Sequence, residues 1–101
     1  MTIKERWKAF EYWVSNIWDE HIFPIYLDAF KEYLKERYKP SYAYQLVRHV
    51  KKLYELRLLH LWWWDVKKEL ERKGIDPQRY ITAHQRFYKF LWEYFNEKMK
   101  V

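Results

Sequence analysis

"VKKELERKGIDPQRYITAHQRFYKFLWEY", Val66 to Tyr94, contains the chain's only glycine and one of its three prolines. Gly74 follows the basic ending "ERK", where a left-handed residue closes a helix without a Cβ clash. Asp76 and Pro77 then read as the N-cap and first residue of a new helix. Beyond them Tyr80, His84, Phe87, Leu91 and Tyr94 or Phe95 recur at helical spacing, and Val66 and Leu70 do so before the turn. The stretch is therefore a helical hairpin.

Upstream, "FKEYLKERYKPSYAYQLVRHVKKLYEL", Phe30 to Leu56, has the same plan. One helix runs from Pro24 to about Tyr38, with Leu27, Phe30 and Leu34 on its stripe. Pro40 disfavours helical geometry at Lys39 and starts the next helix, 41–57, whose stripe is Ala43, Leu46, Val50, Leu53 and Leu56. Two such hairpins packed together make a four-helix unit. Ahead of them, Ile3, Trp7, Phe10, Val14 and Ile17 predict a further helix over 3–20. The expected architecture is all-α: a compact single-domain bundle of about five helices, with an extra N-terminal helix in 1–22 and a four-helix unit in 24–97.

Trp62, Trp63 and Trp64 fall at the junction of the hairpins, in a helix expected over 61–73, although Asp65 is an alternative cap. Three successive helical side chains sweep about 200°, too wide for one apolar stripe. Trp63 joins Val66 and Leu70 on the core face, and Trp62 reaches it through Val66. Trp64 points towards Lys67 and Lys68, so it is expected to be the most exposed of the three.

Of the 101 residues, 23% are aromatic, enough to build a core without metal or disulfide, and cysteine is absent. No apolar run approaches the roughly 20 residues of a membrane span, and "MTIKERWKAF" lacks a signal-peptide core. A soluble, cytoplasmic protein without membrane association is expected. The net charge is +6, unevenly spread: residues 1–38 carry six Lys/Arg and seven Asp/Glu, residues 39–101 fourteen and seven. A basic excess confined to the later part favours a polyanion partner. The competing reading is a solubilising Lys/Glu surface.

From about Leu27 to Tyr94 the chain resembles the N-terminal core-binding domain of tyrosine recombinases and phage-type integrases, a SAM-like four-helix module. In "ITAHQRFYKFLWEY", Arg86, Phe87 and Leu91 fall on the family's Arg, Phe and Leu. The departures are Lys39-Pro40-Ser41-Tyr42 in place of Ser-Pro-x-Thr, and an extra first helix. The family's catalytic arginine, His-x-x-Arg box and nucleophilic tyrosine lie downstream of this module and have no counterpart here. The resemblance implies a non-catalytic DNA clamp half. It assigns backbone contacts to Tyr44, Arg48, Lys51 and Lys52 on the third helix and to Arg79, Thr82, Arg86 and Lys89 on the last. The spacing agrees in part, because each set shares one helix face. Gln45, Gln78 and Gln85 could read base edges. Duplex DNA is the favoured partner, with single strands as an alternative.

Other chemistry has little behind it. His21, His49, His60 and His84 include no i, i+4 pair, so no metal site is expected. His84, on an apolar stripe, reads as a core or boundary residue. There is no glycine-rich phosphate loop, and no cofactor is expected. Trp7, Phe10, Phe30, Phe87 and Leu91 read as core. Trp7, Trp13, Trp18 and Trp64 are also the candidate interface aromatics, since Trp and Tyr are enriched where chains meet. The rival function is accordingly a structural bundle that forms a homodimer or partner complex through these residues.

Overall fold

The structure, a computed structural model, describes residues 2–98. Five helices follow in order: α1 (Ile3–Ser15), α2 (Phe23–Lys35), α3 (Pro40–Glu55), α4 (Trp63–Arg72) and α5 (Gln78–Lys98). The described residues contain no strand, and the all-α expectation holds. Consecutive helices pair as α2 with α3 and α4 with α5, and the α3–α5 contact joins the two pairs. α5 approaches each of the other four helices, while the backbone of α1 comes close to α5 alone and reaches α2 only through Trp13 against Tyr26. No described helix is long and apolar enough to cross a membrane.

The core follows the stripes. Phe30, Leu34, Val50, Leu53, Val66, Leu70, Phe87 and Leu91 are all fully buried. The ends of the helices depart from the expected boundaries, each for a local reason. α1 stops at Ser15 rather than at 20, because polar side chains take over the backbone groups there. Asn16 Nδ2 donates to the Tyr12 carbonyl, and Asp19 Oδ1 accepts the His21 N–H at 2.8 Å. The turn still buries Ile17, and the Tyr54 hydroxyl donates to the Trp18 carbonyl at 2.7 Å, tying it to α3.

Ile3 and Trp7 were expected on the core stripe. Ile3 is 81% exposed and Trp7 45%. Because α1 packs mainly on α5, only part of its apolar arc is covered, centred on Phe10 and Val14.

α3 and α4 end in the same motif. Ile75 N–H donates to the Leu70 carbonyl and Gly74 N–H to the Glu71 carbonyl; at the end of α3, Leu58 N–H donates to Leu53 and Arg57 N–H to Tyr54. These are Schellman closures, which need a left-handed residue. Gly74 supplies it at φ 76°, as expected, whereas α3 uses Arg57 at φ 60°. The buried pair Leu53 and Leu58 accompanies the second closure.

The connector Leu56–Trp62 is therefore ordered, and it buries Leu58 and Leu59. Its inward carbonyls need donors, and α5 provides them. The Tyr88 hydroxyl donates to the Leu59 carbonyl and His84 Nε2 bonds the Leu61 carbonyl, both at 2.9 Å. Facing a carbonyl, Nε2 must carry the proton. Burial holds the His84 pKa below its ordinary 6.5, opposed in part by the neighbouring Leu61 and Leu59 carbonyls.

The tryptophan junction corrects one expectation. Trp62 is 64% exposed and Trp64 47%, so Trp62, not Trp64, is the most exposed; Trp63 is half-buried. Trp62 is the N-cap of α4, with extended backbone at ψ 145°, so helical spacing begins only at Trp63. Lys67 and Lys68 stand over the Trp64 ring at 5.3 and 5.9 Å and partly screen it. At the start of α5, Ile81 N–H bonds the Pro77 carbonyl. Asp76 thus stands one residue outside the cap, and its Oδ1 still accepts the Gln78 N–H at 3.2 Å.

Two sets of measurements check these closures. Left-handed backbone costs a non-glycine residue roughly 1–2 kcal/mol, against roughly 0.5–1 for the extra freedom of unfolded glycine. Arg57→Gly should therefore stabilise the protein by on the order of 0.5 kcal/mol. By the same difference Gly74→Ala should cost on the order of 0.5 kcal/mol, a pure backbone effect because nothing lies within 4 Å of the added Cβ. Denaturant melts read both. Tyr88→Phe leaves the Leu59 carbonyl unpaired and should cost about 1–3 kcal/mol. The unfolded state protonates its histidine first, so stability should decline as pH falls below the ordinary 6.5 of His84. His84→Gln can still donate to Leu61 and should give a shallower decline in thermal melts.

Candidate nucleic-acid interface

On α3 the buried residues Ala43, Leu46, Val50 and Leu53 define the inner face. Tyr44, Arg48, Lys51 and Lys52 lie opposite, within an arc of about 100°, and all four are exposed. Those three cations are unopposed by acid until Glu55.

On α5, Arg79, Thr82, Arg86 and Lys89 share one flank, but their environments differ. Arg79 and Lys89 are exposed, while Thr82 and Arg86 are half-buried. The Thr82 hydroxyl donates to the Gln78 carbonyl at 3.1 Å, a bond within its own helix. Arg86 places its guanidinium carbon 5.4 Å from the Tyr38 ring centroid, and its buried Nε has no hydrogen-bond partner. Further along this flank the charge changes sign: Glu93 accepts the Tyr33 hydroxyl at 2.9 Å, and Glu97 follows. The basic part of α5 is thus its first three turns.

The two helices meet at a groove lined by Ser41, Tyr42, Gln45 and His49 of α3 and by Gln78, Arg79 and Thr82 of α5. Asp76 adds the one carboxylate. His49 lies within the groove wall, its ring 4.6 Å from that of Tyr80. Burial lowers its pKa below the ordinary 6.5, and the Arg48 and Arg79 guanidiniums lower it further. Arg79 shares the groove lining with His49, and Arg48 is its neighbour on α3. The ion pairs among the described residues, His21–Glu20, Lys35–Glu32, Arg37–Glu36 and Arg72–Glu69, use none of the cations assigned to this face.

Sequence reasoning did not assign His49 a role, or bring Tyr42, Gln45 and Gln78 to one groove. The available signal was positional: Tyr42, Gln45 and His49 recur at three- and four-residue spacing beside the apolar stripe of α3. Such a flank belongs either to solvent or to a neighbouring helix, and the packing of α5 decides which.

The candidate interface tryptophans divide. Trp13 packs among Tyr26, Tyr94 and Phe95, and Trp18 among Phe23, Phe87 and Tyr88; both are half-buried within their own chain. Trp7 and Trp64 remain exposed, together with Trp62 and with Tyr12, at 77%. Among the described residues no group of three His, Asp or Glu is placed to hold a metal ion. Comparison with family models, curated proteins and solved structures found no match to this chain.

Proposed function

We propose that the protein binds DNA, duplex in preference to single strands, without catalysing a reaction on it. The contact surface is the outward face of α3 with the first three turns of α5. The observation that carries this reading is the meeting of α3 and α5 at one groove, with Arg48, Lys51 and Lys52 exposed on the first helix and Arg79 and Lys89 on the second, and with none of these arginines or lysines in an ion pair among the described residues. The resemblance to the recombinase core-binding module supports the same two helices. Cations on such a face neutralise phosphates and release counterions, and this fixes register rather than sequence. Gln45 and Gln78 in the groove supply groups that can pair with base edges. Arg86 contributes less, since its head is engaged by Tyr38.

The rival reading, a bundle that binds a second copy or a partner protein, is favoured by the exposed aromatics Trp7, Tyr12, Trp62 and Trp64. Size-exclusion mass at several concentrations, beside a duplex gel shift, separates the two. A stable dimer without a shift would support the rival.

Duplex affinity should fall with rising salt, with a log–log slope of about −0.9 per phosphate neutralised. Arg48→Ala with Lys52→Ala and Arg79→Ala should weaken binding uniformly across sequences and flatten that slope by roughly 2–3. Lys31→Ala on α2 should change little. No shift at low salt, or an unaffected triple variant, would remove the proposal.

Phosphate beside His49 favours its charged form, so binding takes up a proton. Affinity should rise as pH falls below the ordinary 6.5, and His49→Gln should abolish that rise. Fluorescence anisotropy between neutral and mildly acidic pH reads both outcomes.

A further inference from the structure

α5 is covered at two separate places along its length. α1 sits on its C-terminal half, with Trp7 5.2 Å from Trp92 and Phe10 5.5 Å from Phe95. The α3–α4 connector sits on its N-terminal half through His84 and Tyr88. α1 makes no packing contact with α3 or α4. Between them a cleft of about 730 Å³ is left open over α5, within the roughly 300–1,000 Å³ of small-molecule sites.

Its walls are aromatic. Trp7 and Trp18 stand on one side and Trp62 and Trp63 on the other. The floor carries His84 and Tyr88, whose side chains already bond connector carbonyls. The charge of the lining is the informative feature. In a chain with 20 Lys and Arg, none lines this cleft, and its one carboxylate is Glu11. Glu11 forms no ion pair among the described residues. The other titratable side chains there are His60, His84 and Tyr88.

We propose that this cleft binds a lipophilic organic cation, an aromatic ammonium held between indole faces with Glu11 as its counter-charge. Indole is the best cation–π partner among side chains, and the attraction grows as water is excluded. A phosphate-bearing ligand finds no cation in this lining, so the site is separate from the DNA face in both place and chemistry. The shape and the charge together select the occupant: the indole walls accept a flat apolar body, and the lone carboxylate favours a positive head.

The test titrates the full chain at neutral pH with 1-naphthylmethylammonium and, separately, with the neutral 1-naphthylmethanol, following tryptophan indole N–H resonances. The ammonium should perturb the indoles of Trp7, Trp18, Trp62 and Trp63 and bind at least about threefold more tightly than the alcohol. Glu11→Gln should reduce that difference, and Trp62→Ala should weaken both ligands. Glu11 and Trp62 are exposed, so neither variant threatens the core. Equal binding of the two probes, indifference to Glu11→Gln, or no titration would overturn the proposal. Dimerisation that shifts the same indoles without any probe would overturn it too, by giving the cleft to a second copy.

Discussion

Phe87 is fully buried on α5, with Phe30 of α2 edge-on at 5.1 Å and Phe23 at 6.0 Å. Trp18 and Phe90 complete the ring of aromatics around it. The other elements are placed by this packing, because α5 is the one helix in contact with all the rest. An aromatic cluster on a central helix concentrates apolar burial in few residues, which suits a chain of this length. It also means that α1, α4 and the connector depend on α5 rather than on one another, and the cleft between them is a direct result.

A second constraint is the connector. Burying Leu58 and Leu59 carries backbone carbonyls inward, where an unpaired one costs about 1–3 kcal/mol. His84 and Tyr88 remove that cost and make two polar residues on an apolar stripe structural. This arrangement also places Trp62 at the rim, so the route of the connector decides which tryptophan faces solvent. The same packing carries the α3–α5 seam, where Arg79 of α5 lines one groove with His49 of α3. Asp76 is the one carboxylate in that groove.

Much of the fold was legible in advance. Pro24, Pro40, Gly74 and Pro77 punctuate the chain at four of the observed boundaries, and the stripes name most of the core. The left-handed Arg57 was not legible, since a closure that uses arginine leaves no glycine to read. The end of α1 was missed because Asn16 and Asp19 compete locally for backbone groups, while the apolar period runs on to Ile17. Of the candidate site, the eight residues were found as two helix faces. Their differing environments, with Arg86 over Tyr38 and Thr82 bonded within its helix, depend on neighbours remote in sequence.

By itself the sequence determined which segments are helical and which face of each is apolar, because periodicity and the backbone limits of proline and glycine are local properties. Tertiary structure alone decided what those faces meet. Exposed and half-buried flanks look alike in a sequence; only the crossing of α3 with α5 makes a groove around His49. In the same way only the separation of α1 from the connector leaves the tryptophans as the walls of a cleft. Both depend on the packing of side chains from helices distant along the chain, which no local pattern encodes.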